Sequence, residues 1–441
     1  MSAPARVVVA GAGFGGLWAA RALAGKGPRV LLLDRNNYHT FFPLLYQVAA
    51  AELGPTDIAY PVRSILRRWR DVDFRMAEVG EVDLETRVVE TDKGPVPYDF
   101  LVLALGSVPN FFGVEGAAEH AFPLRWMADA IPLRHHILGR FEASAHERDE
   151  EVRRRRLTFV IVGGGPTGVE YAGALAELVH GPLLRDYPML TAEDVRIVLV
   201  EATGRLLAGM PAELGAYAVE RLERRRVEVR TGAMVTRIGP EAIHMRDGTS
   251  LPSETVVWTA GVKGDPRVEA WGLPVGRGGR VPVTPALHLE AHPEVYVIGD
   301  LAGLEEGGAP YPQVAQVAMQ QGERAAANIL RRLAGEPPRP FRYRDYGMLA
   351  VIGRNAAVAE LGGRTFRGFP AWVLWLGIHI AKLIGFRNRA LVLVNWAWNY
   401  VSFRRAVRLI LPEARGSEKG AGSDAEAPGP PADIGAPPGS G

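Results

Sequence analysis

The feature that most constrains this chain is a glycine pattern that occurs twice, each time directly after an apolar, strand-like run. The first copy, "RVVVAGAGFGGLWAARALA", places Gly11, Gly13 and Gly16 between such a run and a helical pattern. The first glycine permits a tight turn, the second lets the backbone approach a pyrophosphate, and the third lets the helix pack closely on the strand. The next strand, "RVLLLDR", ends in Asp34, an acid that can accept hydrogen bonds from ribose hydroxyls.

The second copy, "LTFVIVGGGPTGVEYAGALAEL", places Gly163, Gly165 and Gly168 in the same way. Its following strand, "RIVLVE", ends in Glu201, further from the glycines than the acid of the first copy. An acid at this position favours a free ribose 2′-hydroxyl and repels a 2′-phosphate, so the sequence favours NAD over NADP.

One such pattern is weak evidence, but two copies with strand, helix and acid in order predict two dinucleotide sites. We therefore predict an α/β fold with two Rossmann-like dinucleotide-binding domains, and chains with two such sites usually carry a flavin and a nicotinamide coenzyme. The strand "PEVYVIGDLAG" supports the flavin because Asp300 at its end suits a ribityl or phosphate contact; the alternative is an ordinary strand-ending turn. A further strand, "DFLVLALGSVPN", runs into a turn at Gly106.

Composition excludes several classes of chemistry. The chain has no cysteine, which rules out disulfides, thiolate metal sites, iron–sulfur clusters and catalytic thiols. We expect no metal site, since His379 has no partner constellation of ligands. The formal net charge of +2 over 441 residues gives no overall field that would favour nucleic acid.

The C-terminal region is unusually apolar. Its longest uncharged apolar runs, at residues 369–381 and 390–403, are shorter than the roughly 20 residues of a spanning helix. Residues 390–411 predict an amphipathic helix with Asn395 and Asn399 on a polar face and Trp396 and Tyr400 on another. Tryptophan, tyrosine and arginine favour a lipid surface, so we predict a peripheral anchor on the bilayer. Packing into a homodimer or into the core is the alternative.

The motifs "FPLLYQVA", "PTGVEYAGALAE" and "AQVAMQQG", in this order with the glycine patterns, resemble type II NADH dehydrogenases over residues 5–411. The resemblance implies a two-domain flavoprotein of the glutathione-reductase-like fold that passes electrons from NADH to a membrane quinone of the respiratory chain without pumping protons. It also implies a non-covalent FAD in the first domain and NADH, as substrate, on an inserted second domain. Two departures, "ALG" at 104–106 and "YPQVAQ" at 311–316, fall beside the implied flavin and quinone sites.

The resemblance assigns roles residue by residue. The matches to the FAD motifs are Gly11, Gly13, Gly16, Asp34 and Asp300, and those to the NADH motif are Gly163, Gly165, Gly168 and Glu201. Glu170 matches the acid that the family places near the nicotinamide–flavin junction, and Gln316 and Gln320 match glutamines beside the flavin and quinone.

Chemistry supports a catalytic role for four residues. We expect Glu170 on the first turn of its helix, where the helix dipole favours the ionised form and apolar neighbours raise the pKa, and where it could relay protons; the alternative is an ordinary helix N-terminal acid. Gln316 and Gln320 share a helix face and could donate to a quinone carbonyl, unless they are merely solvated. Lys382 could line the quinone entrance.

The predicted domains are an FAD-binding domain (1–154 and 265–340), an inserted NADH-binding domain (155–264), a C-terminal membrane-anchoring region (341–411) and a disordered tail (412–441). The N-terminus enters a strand without a signal peptide, which predicts an intracellular protein on the cytoplasmic side of the cell membrane. Two alternatives to NADH:quinone oxidoreductase stay open. One is a soluble FAD-dependent NAD(P)H reductase or oxidase that uses oxygen or a small redox protein, and the other is a flavin-containing redox sensor or interaction protein.

Overall fold

A parallel five-stranded sheet forms the first dinucleotide-binding unit of the computed structural model, which describes residues 4–402 and 408–410. Helices cover one face, and the antiparallel strands Val79–Asp83, Val88–Thr91 and Val96–Pro97 cover most of the other, so its central strands are almost wholly apolar and buried. From one edge to the other, the strands are Val72–Met76, Arg29–Asp34, Arg6–Ala10, Phe100–Leu103 and Val295–Val297. The last of these comes from much later in the chain than its neighbour.

A second parallel sheet repeats this order. Its strands are Val227–Thr231, Arg196–Glu201, Thr158–Val162, Thr255–Trp258 and Ala121–Pro123. The outer strand precedes the predicted boundary between residues 154 and 155, yet it pairs in parallel with Thr255–Trp258. Phe141 of the following helix also stacks on Phe159 of the second sheet, with ring centroids 6.0 Å apart. We therefore propose that the second domain begins before residue 121, because strand pairing and core packing place residues 121–156 with it.

Three helices organise the centre of the molecule: the first glycine helix (Phe14–Leu23), the second glycine helix (Pro166–Leu178) and the glutamine helix (Ala315–Leu333). The glutamine helix packs closely on the first glycine helix because Gly322 lies against the Gly15 carbonyl, where any Cβ atom would clash. This contact joins the two separated parts of the first domain.

The C-terminal region is a three-stranded antiparallel sheet followed by two helices. The strands are Met348–Gly353, Ala356–Leu361 and Arg364–Gly368; the penultimate helix is Phe369–Lys382 and the last helix is Phe386–Ser402. The sheet packs on the second glycine helix, where Gly173 abuts the Ile352 carbonyl. Because this sheet is part of the buried core, we propose that only the two helices of the predicted anchoring region of 341–411 serve as an anchor. The predicted tail at 412–441 lies outside the described residues.

The remaining elements range from strands of 2 residues to a helix of 18 residues. The remaining helices are Leu45–Ala49, Pro55–Ile58, Val62–Leu66, Ala117–His120, Met127–Ser144, Glu150–Arg156, Leu184–Asp186, Ala212–Glu223 and Arg267–Ala270, with 3-10 turns at Phe42–Leu44, Arg277–Gly279 and Gly299–Leu301 and a π-helical turn at Val179–Leu183. The remaining strands are Tyr38–Thr40, Ala59–Pro61, Val79–Asp83, Val88–Thr91, Val96–Pro97, Ser107–Pro109, Val235–Ile238, Ala242–Met245, Ser250–Pro252, Val262–Gly264, Val281–Pro282, Ala302–Gly303, Glu305–Glu306 and Ala309–Pro310. No helix within the described residues is both long enough and apolar enough to cross a membrane.

The last helix turns its asparagines inward. The Asn395 amide donates to Asp57 Oδ2 at 3.2 Å, and the Asn399 amide donates to the Glu52 carbonyl at 3.4 Å. The outer face instead carries Val394, Trp398 and Val401, which are 64%, 61% and 78% exposed. The predicted polar face is therefore the one that packs on the protein.

Candidate functional site

A cavity of about 1130 Å³ opens at the carboxyl ends of the first sheet, and we call it the dinucleotide cavity. Its volume exceeds the roughly 300–1,000 Å³ of a typical small-molecule site. The structure brings eight of the sequence-predicted residues together in its lining: Gly11, Gly13, Asp34, Gly106, Glu170, Asp300, Gln316 and Lys382. The cavity therefore has the size and the position that a dinucleotide cofactor needs.

The first glycine turn is fixed by Asp34. Gly11 has a φ of 109°, which a side chain would disfavour, and its N–H donates to the Leu33 carbonyl at 2.8 Å. The Ala12 N–H donates to Asp34 Oδ2 at 2.7 Å, and the Asn36 N–H donates to Oδ1 at 2.7 Å. Burial raises the pKa of Asp34, while these two hydrogen bonds act in the opposite direction. Asp34 thus shapes the turn, and its contact with a ribose stays a prediction.

The second glycine turn repeats the same hydrogen bonds. Gly163 has a φ of 116°, and its N–H donates to the Val200 carbonyl at 2.8 Å. The Gly164 N–H donates to Glu201 Oε2 at 2.6 Å, and the Thr203 N–H donates to Oε1 at 2.7 Å. The two predicted sites are therefore equivalent in backbone geometry.

The third glycine of each copy is required by the protein itself. A Cβ atom on Gly16 would collide with the Gly11 carbonyl, and one on Gly168 with the Gly163 carbonyl. The middle glycines differ, because a Cβ on Gly13 or Gly165 would meet no protein atom within 4 Å. Their φ angles, −69° and −72°, are also ordinary for any residue. The open space at both middle glycines fits the close approach of a pyrophosphate, and so fits FAD in the first site and a nicotinamide dinucleotide in the second.

Glu170 lies in the second turn of the second glycine helix, which corrects the predicted first turn. It is buried, and its Oε1 accepts from the Trp375 indole at 3.2 Å and from the Val351 N–H at 3.3 Å. Burial raises the pKa of Glu170 to about 8, against the lowering effect of these two bonds. The carboxyl group is therefore mostly protonated at pH 7. The sequence predicts that the helix dipole favours the ionised form and that apolar neighbours raise the pKa, and the effect of the apolar neighbours is the larger.

A second cavity, of about 860 Å³, lies between the second glycine helix and the two C-terminal helices; we call it the apolar cavity. Its walls include Trp372, Leu376, Ile380, Leu393 and Ala397. Glu170 lines this cavity as well as the dinucleotide cavity. The carboxyl group of Glu170 is thus shared by the dinucleotide cavity and the apolar cavity.

The two predicted glutamines hold a neighbouring segment. Gln320 donates to the Arg344 carbonyl at 2.9 Å and accepts from the Arg344 N–H at 3.0 Å. Gln316 donates to the Gly347 carbonyl at 3.1 Å. Gln316 lines the dinucleotide cavity, whereas the structure does not bring Gln320 to either cavity within the described residues. Lys382, by contrast, is exposed at the edge of the dinucleotide cavity.

Sequence reasoning missed three residues. Arg125 and Ser107 both hydrogen-bond Asp300, and Trp375 hydrogen-bonds Glu170 across 205 positions of sequence. The tryptophan lies in the apolar run at residues 369–381, but nothing in that run marks one of its two tryptophans as buried. Among the described residues no group of three or more histidines, aspartates or glutamates could hold a metal ion.

Comparisons with known proteins decide the family. A family profile described as Pyridine nucleotide-disulphide oxidoreductase matches residues 5–322, and one described as NDH2 C-terminal domain matches residues 346–405. The Type II NADH:quinone oxidoreductase Ndh of Mycobacterium tuberculosis is 38% identical over 415 residues, which cover 91% of this chain and 89% of the relative. The chain belongs to the type II NADH:quinone oxidoreductase family.

A second relative agrees with this assignment. The Type II NADH:quinone oxidoreductase of Staphylococcus aureus is 33% identical over 377 residues, which cover 83% of this chain and 92% of the relative. The predicted family is thereby confirmed for this chain.

Solved structures support the predicted fold of this chain. The structure of NDH2 from Plasmodium falciparum in complex with NADH aligns with a TM-score of 0.85 at 18% identity, covering 93% of this chain and 100% of that one. The sulfide:quinone oxidoreductase from Aquifex aeolicus aligns with a TM-score of 0.70 at 18% identity, covering 90% and 95%. At such low identity these likenesses show the fold, and the predicted fold class is confirmed.

Proposed function

We propose that this chain transfers electrons from NADH, through FAD, to a membrane quinone. The observation that carries the proposal is the position of Glu170 in the wall of both the dinucleotide cavity and the apolar cavity. When bound, FAD accepts a hydride and releases two electrons, chemistry that no side chain of this cysteine-free protein supplies. The predicted enzyme class and cofactors agree with the family.

The chain's own residues divide the two dinucleotides between two sites. Gly13 leaves space for the FAD pyrophosphate, and Asp34 and Asp300 lie in the same cavity as hydrogen-bond acceptors. Gly165 and Glu201 form the equivalent site on the second sheet for NADH. An acid there disfavours the 2′-phosphate of NADPH, so NADH is the proposed donor.

Glu170 is the proposed donor of one proton to the quinone, and the second proton is taken up from solvent. Reduction of a quinone to a quinol takes up two protons as well as two electrons. A carboxyl group whose pKa is raised to about 8 by burial carries a proton at pH 7 and can donate it. The apolar cavity beside it suits a hydrophobic substrate, since most of its exposed wall surface is apolar, although charged side chains such as Glu177 and Arg354 also line it.

The two C-terminal helices are the proposed contact with the bilayer. Most of the exposed large apolar side chains among the described residues lie after residue 368, including Phe369, Val373, Phe386 and Trp398. A surface of this kind favours a lipid interface or another protein. We propose that it rests on the cytoplasmic face of the membrane, and a homodimer contact over part of the same surface is the alternative use.

The decisive experiment reduces the flavin with NADH under anaerobic conditions and then adds each electron acceptor separately. We expect NADH to bleach the absorbance of the bound flavin, and a ubiquinone or menaquinone analogue to restore it faster than oxygen does. Faster recovery with oxygen or a small iron–sulfur protein would support a soluble reductase instead. Tight NADH binding with slow recovery in the presence of every acceptor would support a redox sensor, and a protein purified without flavin would contradict the proposal.

A further inference from the structure

We infer that Arg125 is a positioning residue that, together with Ser107, holds Asp300 in place for FAD. The inference rests on the proposed function only in taking FAD as the occupant of the dinucleotide cavity. It concerns two residues to which neither the glycine patterns nor the family resemblance assigns a role.

The three side chains form a closed set of hydrogen bonds. Arg125 Nη2 donates to Asp300 Oδ2 at 2.8 Å and to Ser107 Oγ at 2.8 Å, and the Ser107 hydroxyl donates to Asp300 Oδ2 at 2.7 Å. The side chains of Arg125 and Asp300 are only 25% and 11% exposed, so solvent screens this ion pair weakly. Charge-assisted hydrogen bonds of this length are stronger than neutral ones.

The arrangement leaves one oxygen of Asp300 available. Both donors bond Oδ2, and Oδ1 accepts no hydrogen bond from the described residues. Because Asp300 lines the dinucleotide cavity, the free oxygen can accept from a hydroxyl of a bound dinucleotide. Arg125 also offsets the charge of Asp300, which would otherwise stand beside a cofactor that becomes more negative on reduction.

Arg125 reaches the cavity from the other domain. It follows the outer strand of the second sheet, Ala121–Pro123, and its backbone N–H donates to Asp129 Oδ2 at 3.0 Å at the start of the next helix. Its guanidinium lies 5.4 Å from the centre of the Phe42 ring in the first domain. A residue anchored in the NADH-binding domain thereby fixes an acid of the FAD site, so FAD affinity depends on a contact between the two domains.

The test measures FAD binding directly. Protein stripped of FAD is titrated with FAD, and binding is followed by the quenching of flavin fluorescence. We expect Arg125→Gln and Ser107→Ala to raise the dissociation constant for FAD roughly ten- to a hundredfold, the loss expected for a hydrogen bond to a charged group. Arg125→Lys, which keeps the charge, is expected to restore part of the affinity. The midpoint potential of the flavin bound to Arg125→Gln is expected to become more negative.

Two controls separate positioning from general damage. Arg153 pairs with Asp194 at 3.1 Å with side chains 24% and 16% exposed, a similar ion pair outside both cavities, so Arg153→Gln should leave FAD affinity and potential unchanged. In the Asp300→Asn background, Arg125→Gln should have little further effect, because the two residues act as a unit. If Arg125→Gln does not fold, Ser107→Ala and Arg125→Lys carry the test.

An FAD affinity and flavin potential in Arg125→Gln equal to those of the wild type would overturn the inference. So would effects of Arg125→Gln and Asp300→Asn that simply add. Either result leaves the proposed function intact as long as wild-type protein binds FAD and is reoxidised by quinone. A wild-type protein that binds no FAD would instead remove the proposed function.

Discussion

Glu170 shows how a single residue acquires its chemistry from its surroundings. A glutamate in solution is ionised at neutral pH, but here the side chain is buried against Trp375 and Val351. Two hydrogen bonds to one carboxylate oxygen compensate only part of the desolvation, so the pKa rises to about 8. Its position between two cavities makes the resulting neutral acid available to substrates on either side.

The first prediction concerns the pH dependence of quinone reduction. We expect wild-type activity to fall as the pH rises through about 8, because Glu170 then loses the proton that it donates. Glu170→Gln should lower quinone reduction about 10²-fold or more and remove this alkaline limb. The rate of flavin bleaching by NADH serves as the control, since it should change much less.

Trp375→Phe provides a second test of the same group. The Trp375 indole lowers the pKa of Glu170 by donating to its Oε1. Removing that donor should raise the pKa further and move the alkaline limb to higher pH. A limb that stays in place, or moves down, would show that another group controls it.

A stability prediction follows from the same raised pKa. The ordinary pKa of a glutamate is 4.5, whereas the pKa of Glu170 in the folded protein is about 8. Between these two pH values the folded state holds a proton on Glu170 that the unfolded state releases. The free energy of unfolding should therefore fall as the pH rises through this window. Glu170→Gln lacks this dependence and should be more stable than wild type at pH 8 by roughly 2–4 kcal/mol, measured by denaturant unfolding at pH 5 and pH 8. Equal pH dependence of the two proteins would contradict it.

At the scale of elements, the last helix shows why an amphipathic pattern does not by itself tell which face meets water. Asn388 is 1% exposed and donates to the Ala59 carbonyl at 3.1 Å, so a polar face packs inward by bonding backbone carbonyls. The apolar row of Val394, Trp398 and Val401 is consequently left on the outside. Such an inversion is stable when the outer face meets lipid or another apolar surface.

The prediction for this helix is a loss of membrane binding. Trp398→Glu combined with Val401→Glu should release the protein from vesicles containing anionic lipid in a sedimentation assay, while NADH oxidation with a water-soluble quinone continues. Leu333→Glu is the matched control, because Leu333 is an apolar residue 44% exposed at the end of the glutamine helix. If the double variant instead changes from dimer to monomer and stays on vesicles, the surface is a subunit contact.

The glutamine helix yields a prediction that separates two roles for Gln320. Both ends of its amide bond the backbone of Arg344, so we expect Gln320→Ala to lower the free energy of unfolding by about 1–2 kcal/mol. The KM for quinone should stay within a factor of about two of the wild-type value, since the amide is already bonded. A raised KM for quinone with an unchanged free energy of unfolding would instead support the predicted contact of Gln320 with the quinone.

At the scale of the whole molecule, the two glycine turns allow the two dinucleotide sites to be tested separately. Gly16→Ala should displace the first turn, because its Cβ atom meets the Gly11 carbonyl, and the purified protein should lose its yellow colour. Gly168→Ala should keep the flavin but lose bleaching by NADH, because the corresponding clash is with the Gly163 carbonyl. A colourless Gly168→Ala protein would show that the sites are not assigned as proposed.

The sequence predicts the parts of the fold that follow from local pattern. Glycines that need a positive φ or a close contact, such as Gly11 and Gly16, leave a signature that any chain with this turn must carry. The strand Ala121–Pro123 carries none, since three residues with one proline do not distinguish a strand from a loop. The contacts of Glu170 with Trp375 and of Arg125 with Asp300 also depend on how distant segments pack, which no spacing along the chain records.

The late position of the outer strand of the first sheet also has a consequence for biosynthesis. The first sheet is completed only by Val295–Val297. Ser107 likewise cannot form its hydrogen bond until Asp300, 193 residues further along the chain, has been synthesised. The second sheet, in contrast, has all five strands by Trp258. During synthesis on the ribosome, the second sheet can therefore form while the first sheet still lacks its outer strand. Chaperones that bind nascent chains would then encounter the unpaired edge of the first sheet.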